Sequence, residues 1–480
     1  MKLGELLKGV EYYSPELDPD MGISGIFTHS DNVRENGMFV AIKGLHGDGH
    51  EYIGSAIKKG AAVIVTDREP PKEEAARYIR VDSARRAWAY ICHNAAGRPA
   101  DHIKSIAVTG TNGKSSVTRI LRSIIEASGQ KCGELGTLGG GLTTPDPDTL
   151  YPALAQMVRD GCKWVVMEAS SHALALDKLA PISFTGAIFT NLTLDHTDFH
   201  GSMSAYGAAK AKLFSMAGAA LVNYDDPGVT ALARYAECPV SSFSMKSDLA
   251  DYSARSLKYG FEGFSYYFLE TGNVFRIESP LVGGFQAQNS LAAAAMARML
   301  GITREAVKRG ISDVKSIDGR MMPLEIAGAR FKVFIDYAHT PDALTSALSA
   351  VRTCMRQGQR LVLLFGCGGE RDKTKRAPMG QIASRYADFT IITADNSRGE
   401  DTYSIIRDIL GGFSPSSPHL TIADRRQAIA YAIHTARPGD VLLFCGKGHE
   451  NYEIDSAGRH PFSEREEILR AAAQRSDLQT

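Results

Sequence analysis

Short apolar runs alternate with amphipathic stretches along most of the 480 residues. Met38-Phe-Val-Ala-Ile42 and Ala61-Ala-Val-Ile-Val-Thr66 read as buried strands, and Ala84 to Ala96 reads as a helix that stops at Gly97-Arg-Pro99. Further strands are predicted at Ile106–Thr109, Trp164–Met167 and Gly186–Phe189. An alternating stretch follows around Phe264 to Phe275, and then an Ala-rich helix from Asn289 to Leu300. After the polar Ser316-Ile-Asp-Gly-Arg320 the alternation resumes with Phe331–Ile335, Arg360–Phe365, Phe389–Thr393 and Val441–Phe444. Strands alternating with amphipathic helices predict an α/β protein of mostly parallel sheets covered by helices on both faces. Three units are expected: a small α/β unit over 1–100, a central unit over 101–325 and a Rossmann-like unit over 326–480. No internal repeat or low-complexity segment interrupts them.

Composition narrows the class without naming a chemistry. Lys plus Arg and Asp plus Glu number 54 each, so no basic excess calls for nucleic acid and no polybasic run calls for a membrane surface. Leu3, Leu6, Leu7 and Val10 recur at helical spacing among Lys and Glu, a pattern too short and too charged for a signal peptide. No apolar run approaches transmembrane length. The seven cysteines are scattered with no C-x-x-C pair, which argues against a disulfide framework or a zinc site and predicts a reduced, cytoplasmic protein.

In such sheets ligands gather beyond the carboxyl ends of the strands, so the residues just after each apolar run carry the chemistry. After the strand Ile106–Thr109 comes Gly110-Thr-Asn-Gly-Lys-Ser-Ser116, and then Val117, Ile120, Leu121 and Ile124 on one helical face. A glycine loop opening a helix aims backbone N–H groups and the positive end of the helix dipole at an anion. Lys114 can reach the β- and γ-phosphates of a nucleotide and the Ser115 hydroxyl can bind Mg²⁺. Two residues separate the glycines, Thr111 and Asn112, where the usual P-loop has four. After Trp164–Met167 come Glu168 and Ser170-Ser171-His172, which read either as a metal-binding carboxylate with its neighbours or as a helix N-cap cluster. After Gly186–Phe189 come Asn191-Leu-Thr-Leu-Asp-His196, in which His196 reads as a metal ligand or a plain loop histidine. The following segment, Tyr206 to Phe214, reads as a helix. Lys210 and Lys212 then point to different faces, with a solvated face as the default account of both.

Taken in order, Gly110 to Ser116, Glu168-Ala-Ser-Ser-His172, Asn191 to His196 and Ala209-Lys210 resemble the Mur ligases, and the resemblance covers essentially the whole chain. Within that family the similarity is greatest to the ligases adding the third stem-peptide residue. It rests on Leu142-Thr-Thr-Pro-Asp146, Asp336-Tyr-Ala-His-Thr-Pro341, Gly369-Glu-Arg-Asp-Lys373, Asp395-Asn-Ser-Arg398 and Gly446-Lys-Gly-His-Glu450. The resemblance implies a three-domain, ATP-dependent, ADP-forming amide ligase of peptidoglycan precursor synthesis, and so a part in cell-wall building, cell shape and division. It implies small-molecule substrates (ATP, UDP-MurNAc-L-Ala-D-Glu and a diamino acid), Mg²⁺ as cofactor and a monomer with no nucleic-acid or membrane partner.

The resemblance also assigns residues. Lys114, Glu168, His196 and Lys210 match catalytic positions, and Ser115, Glu168, His196 and a carbamylated Lys210 match the metal site. Gly110, Thr111, Asn112, Gly113, Lys114, Ser115, Ser116, Asn289, Arg320, Asp336 and His339 match ATP contacts. Ser30, Leu45, His46, Gly47, Thr143, Thr144, Ser170 and Lys178 match positions that hold the UDP-MurNAc-peptide. Arg371, Asp395, Asn396, Ser397, Arg398, Gly446 and Glu450 match the pocket for the incoming amino acid. Ser397 stands where a proline is usual, Lys178 where an arginine is, Gln286 where an asparagine is, and Ser115 and Ser116 where threonines are. Arg398 matches the arginine that ends this loop in diaminopimelate-using relatives and is usually lacking in lysine-using ones, so the resemblance favours meso-diaminopimelate; a guanidinium pairs with a distal carboxylate in a two-pronged fork and has no partner on a lysine ammonium. The same ligation with L-lysine or another amino acid, or a folylpolyglutamate- or cyanophycin-type ligation, are the alternatives. A nucleotide-binding scaffold without chemistry would be expected to have lost Glu168, Lys210 or the third-unit pocket, and all are present.

Overall fold

A computed structural model describes residues 1–13, 17–44, 47–69, 77–139 and 141–475. The pattern of apolar runs becomes three sheets. Ile26–Phe27, Gly37–Val40, Ala61–Thr66 and Tyr78–Arg80 form a four-stranded parallel sheet in that order. The nine-stranded central sheet has Lys104–Thr109 inside it, flanked by Trp164–Glu168 and Cys132–Leu135 on one side and Gly186–Phe189 and Ala220–Asn223 on the other. Eight of its nine strands run in one direction; Gly263–Glu270 alone runs against them and pairs with the edge strand Asn273–Ser279. The third sheet orders Met322–Pro323, Lys332–Asp336, Val441–Cys445, Leu361–Phe365, Phe389–Ile392 and His419–Thr421, parallel except for the first. A separate hairpin, Tyr452–Asp455 with Gly458–Pro461, lies beside it.

The elements follow from their residues. In the helix Lys114–Ala127, Val117, Ile120, Leu121 and Ile124 are fully buried, as their 3.6-residue spacing requires. The alternating stretch around Phe264 to Phe275 is a hairpin rather than one strand, because Gly272 turns the chain at φ +77°. The Ala-rich helix starts five residues before the predicted Asn289, at Gly284, and it is buried along nearly its whole length, so small side chains let it lie against the sheet. At the amino end the helix is four residues, Leu3–Leu6, with Leu3, Leu6 and Leu7 in the core and Val10 beyond it.

Two different seams join the units. Leu3, Leu6, Val40, Val65, Trp88 and Ile91 of the first share one apolar core with Leu150, Tyr151, Leu154 and Ile182 of the second. The second and third meet partly through Val282, Phe261 and Phe285 against Phe334 and Leu344, and otherwise through polar contacts at the nucleotide loop. Among the described residues no helix is long and apolar enough to cross a membrane, and all seven cysteines are free.

Candidate active site

The strand Lys104–Thr109 is where the central sheet reverses its order of addition, and the glycine loop leaves its carboxyl end there. Gly110 and Gly113 take positive φ, +140° and +87°. A Cβ on Gly110 would run into the Thr190 hydroxyl, and one on Gly113 into the Asn289 amide. Gly113 is the N-cap of Lys114–Ala127 and brings no side chain to its first N–H groups, which stay free for an anion. The segment after Gly186–Phe189 braces the loop from the side. Asn112 N–H donates to Asn191 Oδ1 (2.8 Å), Thr190 Oγ1 donates to the Asn112 carbonyl (2.6 Å), and Thr111 N–H donates to the Asn191 carbonyl (2.9 Å).

Both lysines of the site converge on this loop. Lys114 Nζ donates to the carbonyls of Gly110 (2.9 Å) and Thr111 (2.8 Å), and Lys210 Nζ donates to the same Gly110 carbonyl (2.8 Å). The solvated face expected by default for Lys210 is wrong. Lys210 is 2% exposed, on the inner face of Met203–Ala211, because Tyr206 and Ala209 on that face also pack inward. Lys212 is the solvent-facing one, paired with Asp177 at 3.2 Å. Burial, and then the neighbouring Lys114 charge, push the Lys210 ammonium well below its ordinary range. Burial lowers Lys114 as well, against the pull of Glu168 and Asp195.

Glu168 ends its strand directly beside Val108, and its carboxylate accepts from Thr137 N–H (2.8 Å) and Thr137 Oγ1 (3.3 Å). Ser170 is indeed an N-cap, accepting from Ala173 N–H at 3.2 Å, and it also meets the Thr144 hydroxyl at the same distance. Thr143 reaches Thr137 (3.1 Å), and buried Lys178 pairs with Asp146 at 2.7 Å, so Thr143, Thr144, Ser170 and Lys178 sit together on the Glu168 side. His196 stands in a strained loop at φ +52°, half-exposed, 3.4 Å from Asp195. Its ring meets that of His172 at 4.8 Å, and burial lowers His172 to about 4, so that imidazole is neutral at ordinary pH. In the first unit Ser30 is buried at the start of the turn Ser30–Asn32, and Gly47 is exposed. Leu45 and His46 lie outside the described residues.

Across the polar seam, Arg320 Nη2 donates to Ser115 Oγ (3.1 Å), while Gln286 donates to the Arg320 carbonyl (3.3 Å) and accepts from Asn289 (3.2 Å). Asn112 and Thr193 donate to Asp342 at 2.9 and 3.4 Å. The Arg320 guanidinium lies over the Tyr337 ring at 4.8 Å. Asp336 accepts from Met321 N–H (2.7 Å) and Ala338 N–H (2.8 Å), and burial raises it above the usual carboxylate range. Burial also lowers His339, to about 4.

The third-unit residues converge as well. Asp395, Asn396 and Ser397 are buried directly after Phe389–Ile392, and Arg398 turns the chain at φ +51°. Arg398 Nη1 donates to the carbonyls of Gly369 (2.8 Å) and Asn396 (3.2 Å), half-buried beside Gly368, against which Arg371 also lies. A Cβ on Gly446 would come within 2.6 Å of Asp395 Oδ2, so only glycine fits there. Glu450 accepts from Asn396 Nδ2 (2.9 Å) and from the hydroxyls of Tyr337 and Tyr452 (both 3.3 Å). Sequence reading missed Tyr337 and Lys447, both inside quoted motifs, Asp342, one residue past the motif that ends at Pro341, and the buried pair Arg425–Glu464 (2.8 Å). Arg425 donates to the carbonyls of Ala394 (2.9 Å) and Cys445 (2.8 Å) and so props the two strand ends of the pocket. Arg425 opens the helix Arg425–Thr435 beside an exposed Arg426, and no local signal set it apart.

Known proteins share this arrangement along the chain. Residues 22–96 match the Mur ligase family catalytic domain, 108–297 the Mur ligase middle domain and 319–448 the Mur ligase glutamate ligase domain. A UDP-N-acetylmuramoyl-L-alanyl-D-glutamate--2,6-diaminopimelate ligase of Caldanaerobacter subterraneus subsp. tengcongensis is 39% identical over 485 residues, covering 99% of each chain. The chain belongs to the Mur ligase family. A second relative of this Mur ligase, the same-named enzyme of Syntrophomonas wolfei, is 38% identical over 95% of both chains. A solved structure of a ligase with that name superposes with a TM-score of 0.69 at 29% identity, covering 98% of this chain and 99% of the other. The fold alone extends to a MurF ligase of Thermotoga maritima in complex with ADP, at 19% identity, 94% and 96% coverage and a TM-score of 0.61.

Proposed function

We propose that this Mur ligase uses ATP to add meso-diaminopimelate, as the third stem-peptide residue, to UDP-MurNAc-L-Ala-D-Glu in cytoplasmic peptidoglycan precursor synthesis. The observation that carries the reading is the convergence at Arg320 and Tyr337. Arg320 bonds Ser115 of the nucleotide loop and covers the Tyr337 ring, and Tyr337 bonds Glu450 of the third-unit pocket. These contacts link the nucleotide loop to the third-unit pocket, which supports reading that pocket as the amine site of an amide-forming ligase.

The chemistry runs in two balanced steps. A substrate carboxylate oxygen takes the γ-phosphoryl group, the bond to the β-phosphate oxygen breaks, and ADP leaves. The free amine of the incoming amino acid then attacks the acyl carbon, loses a proton, and expels phosphate from the tetrahedral intermediate. Free N–H groups at Gly113–Lys114 and the Lys114 ammonium hold the phosphates, so positioning and electrostatics carry most of the rate. Thr143, Thr144, Ser170 and Lys178 hold the peptide on the Glu168 side, and Ser30 with the loop through Gly47 holds the nucleotide-sugar. Asn289, Asp336 and His339 line the nucleotide.

Glu168 and Ser115 offer hard oxygen donors of the kind Mg²⁺ takes. Among the described residues no group of three or more His, Cys, Asp and Glu side chains is placed to hold a metal. Carbamylation of Lys210, whose amine meets the Gly110 carbonyl of the nucleotide loop, would turn a cation into an anionic oxygen donor, and Ser115, Glu168, His196 and that carbamate would then hold the ion. When bound, Mg²⁺ neutralises charge on the β- and γ-phosphates.

Phosphate release with the UDP-dipeptide and either diaminopimelate or L-lysine tests the reading. Arg398 is half-exposed, and its charge-assisted bonds to a distal carboxylate support a preference for diaminopimelate of about tenfold to a hundredfold in kcat/KM. Arg398→Ala should narrow that ratio by lowering diaminopimelate use. Equal kcat/KM for the two amines would refute the amino-acid assignment and leave the ligase chemistry standing; no phosphate release with either would refute the function.

A further inference from the structure

We propose that Lys447 is a positioning residue for the incoming amino acid, acting through Asn396 to engage Glu450 Oε2 and leave the more weakly bonded Oε1 for the substrate. The proposal rests on the third-unit pocket being the amine site. Lys447 sits between Gly446 and Gly448, fully buried, with its ammonium 5.7 Å from the Tyr452 ring and 5.6 Å from the Phe462 ring. A buried ammonium needs partners in each direction its three N–H groups point. Lys447 Nζ donates to Asn396 Oδ1 (2.6 Å) and to the Tyr452 carbonyl (2.9 Å), and faces Glu450 Oε2 at 3.6 Å.

The consequence falls on Asn396. An amide has one acceptor oxygen and one donor nitrogen, and either end could face Glu450. Here Asn396 Oδ1 is held by two donors at once, Lys447 Nζ and Ile454 N–H (2.9 Å), so the amide nitrogen is forced toward Glu450, where it donates to Oε2 at 2.9 Å. Flipping the amide would set its NH₂ against the Lys447 ammonium and its oxygen against a carboxylate, two repulsions in a buried site. Glu450 therefore has Oε2 occupied by a short bond. Oε1 keeps two longer ones, from Tyr337 and Tyr452 (both 3.3 Å), and is the oxygen left to receive a substrate ammonium. The Lys447 charge has a second effect. Burial works to raise the Asp395 carboxyl, yet Lys447 and Arg425 overcome it and hold Asp395 below its ordinary range. Lys447 thus helps keep the Asp395 carboxylate charged at the pocket floor without itself touching ligand.

A side chain that merely staples the hairpin Tyr452–Asp455 would lower stability and leave the two substrates equally affected. A positioning residue for the amine splits them. The test compares wild type, Lys447→Met, Asn396→Ala and the double variant in steady-state kinetics with diaminopimelate, the UDP-dipeptide and ATP. Lys447→Met should raise the amino-acid KM about tenfold to a hundredfold with the ATP KM within about twofold, and the double variant should be no worse than the weaker single one. Amino-acid and ATP KM values rising together, losses that multiply in the double variant, or an unchanged amino-acid KM would each overturn the proposal. Should Lys447→Met fail to fold, Asn396→Asp serves instead. It leaves Lys447 a carboxylate partner and removes the donor to Glu450, so the same KM split is expected, and a wild-type amino-acid KM would refute the mechanism. Wild-type enzyme that uses no diamino acid would overturn the pocket reading and this inference together, whereas normal wild-type use without the split overturns this inference alone.

Discussion

Lys210 shows how far burial changes what a residue can be. An ammonium at 2% exposure, sharing the Gly110 carbonyl with a second lysine, is in the least favourable place in the site for a cation. Its pKa is driven down by burial first and by Lys114 second, which favours the uncharged amine that can add to carbon dioxide. Carbamylation is the expected state. Intact-mass measurement in bicarbonate buffer should find the carbamate, and Lys210→Ala should lose activity by about a hundredfold or more, recovered in part by short-chain carboxylic acids that fill the vacated space. A free amine in fully active enzyme would end this account. That lysine lay in plain view in the sequence, but two helical positions from Lys212 it looked equally solvated. Which of the two faces inward is set by what Met203–Ala211 packs on, not by local pattern.

At the scale of elements, the helix that carries the nucleotide loop is placed by one glycine on a neighbour. Gly310 in Arg304–Asp313 lies against the backbone of Lys114–Ala127; a Cβ there would stand 2.6 Å from the Ile124 nitrogen and closer still to its Cα. Backbone cannot move aside as a side chain can, so Gly310→Ala should destabilise by about 1–3 kcal/mol despite the better helix propensity of alanine. Gly54, in the short helix Ile53–Lys58, has nothing within 4 Å of the added methyl, so Gly54→Ala should be neutral or stabilising by up to about 1 kcal/mol. Urea midpoints of the two variants measure the contrast, and equal midpoints would show that the helices separate freely. The strand–helix order itself was legible from period and punctuation. Close helix contact at Gly310 was not, since a glycine inside a helical pattern reads the same whether it faces water or another backbone.

In the whole molecule the two seams differ in kind. The first and second units share an apolar core, which holds them as one body, while the second and third depend at the nucleotide loop on polar contacts that water can replace. The third unit is the part expected to open and close over substrate. Asp342, in the first turn of Pro341–Cys354, ties that unit to the loop through Asn112 and Thr193. Asp342→Ala should lower kcat/KM for ATP about twofold to tenfold and, since the contact is exposed, should scarcely change thermal stability. A variant with unchanged ATP kinetics would show that this contact takes no part in closure.

The sequence by itself determined the alternation of strands and helices, the phosphate loop, and which motifs belong to one ligase family, because these depend on spacing and residue type within a few neighbours. Ser115 and Glu168 were legible for the same reason, lying just beyond apolar runs, while the Asp395–Arg398 loop was legible through its resemblance to the family's motif. The tertiary structure alone decided which lysine is buried, which amide end Asn396 shows to Glu450, and that Arg320 and Tyr337 join the nucleotide loop to the third-unit pocket. Those outcomes depend on groups far apart in the chain, from Ser115 to Glu450, whose meeting is set by how three sheets pack rather than by any local pattern.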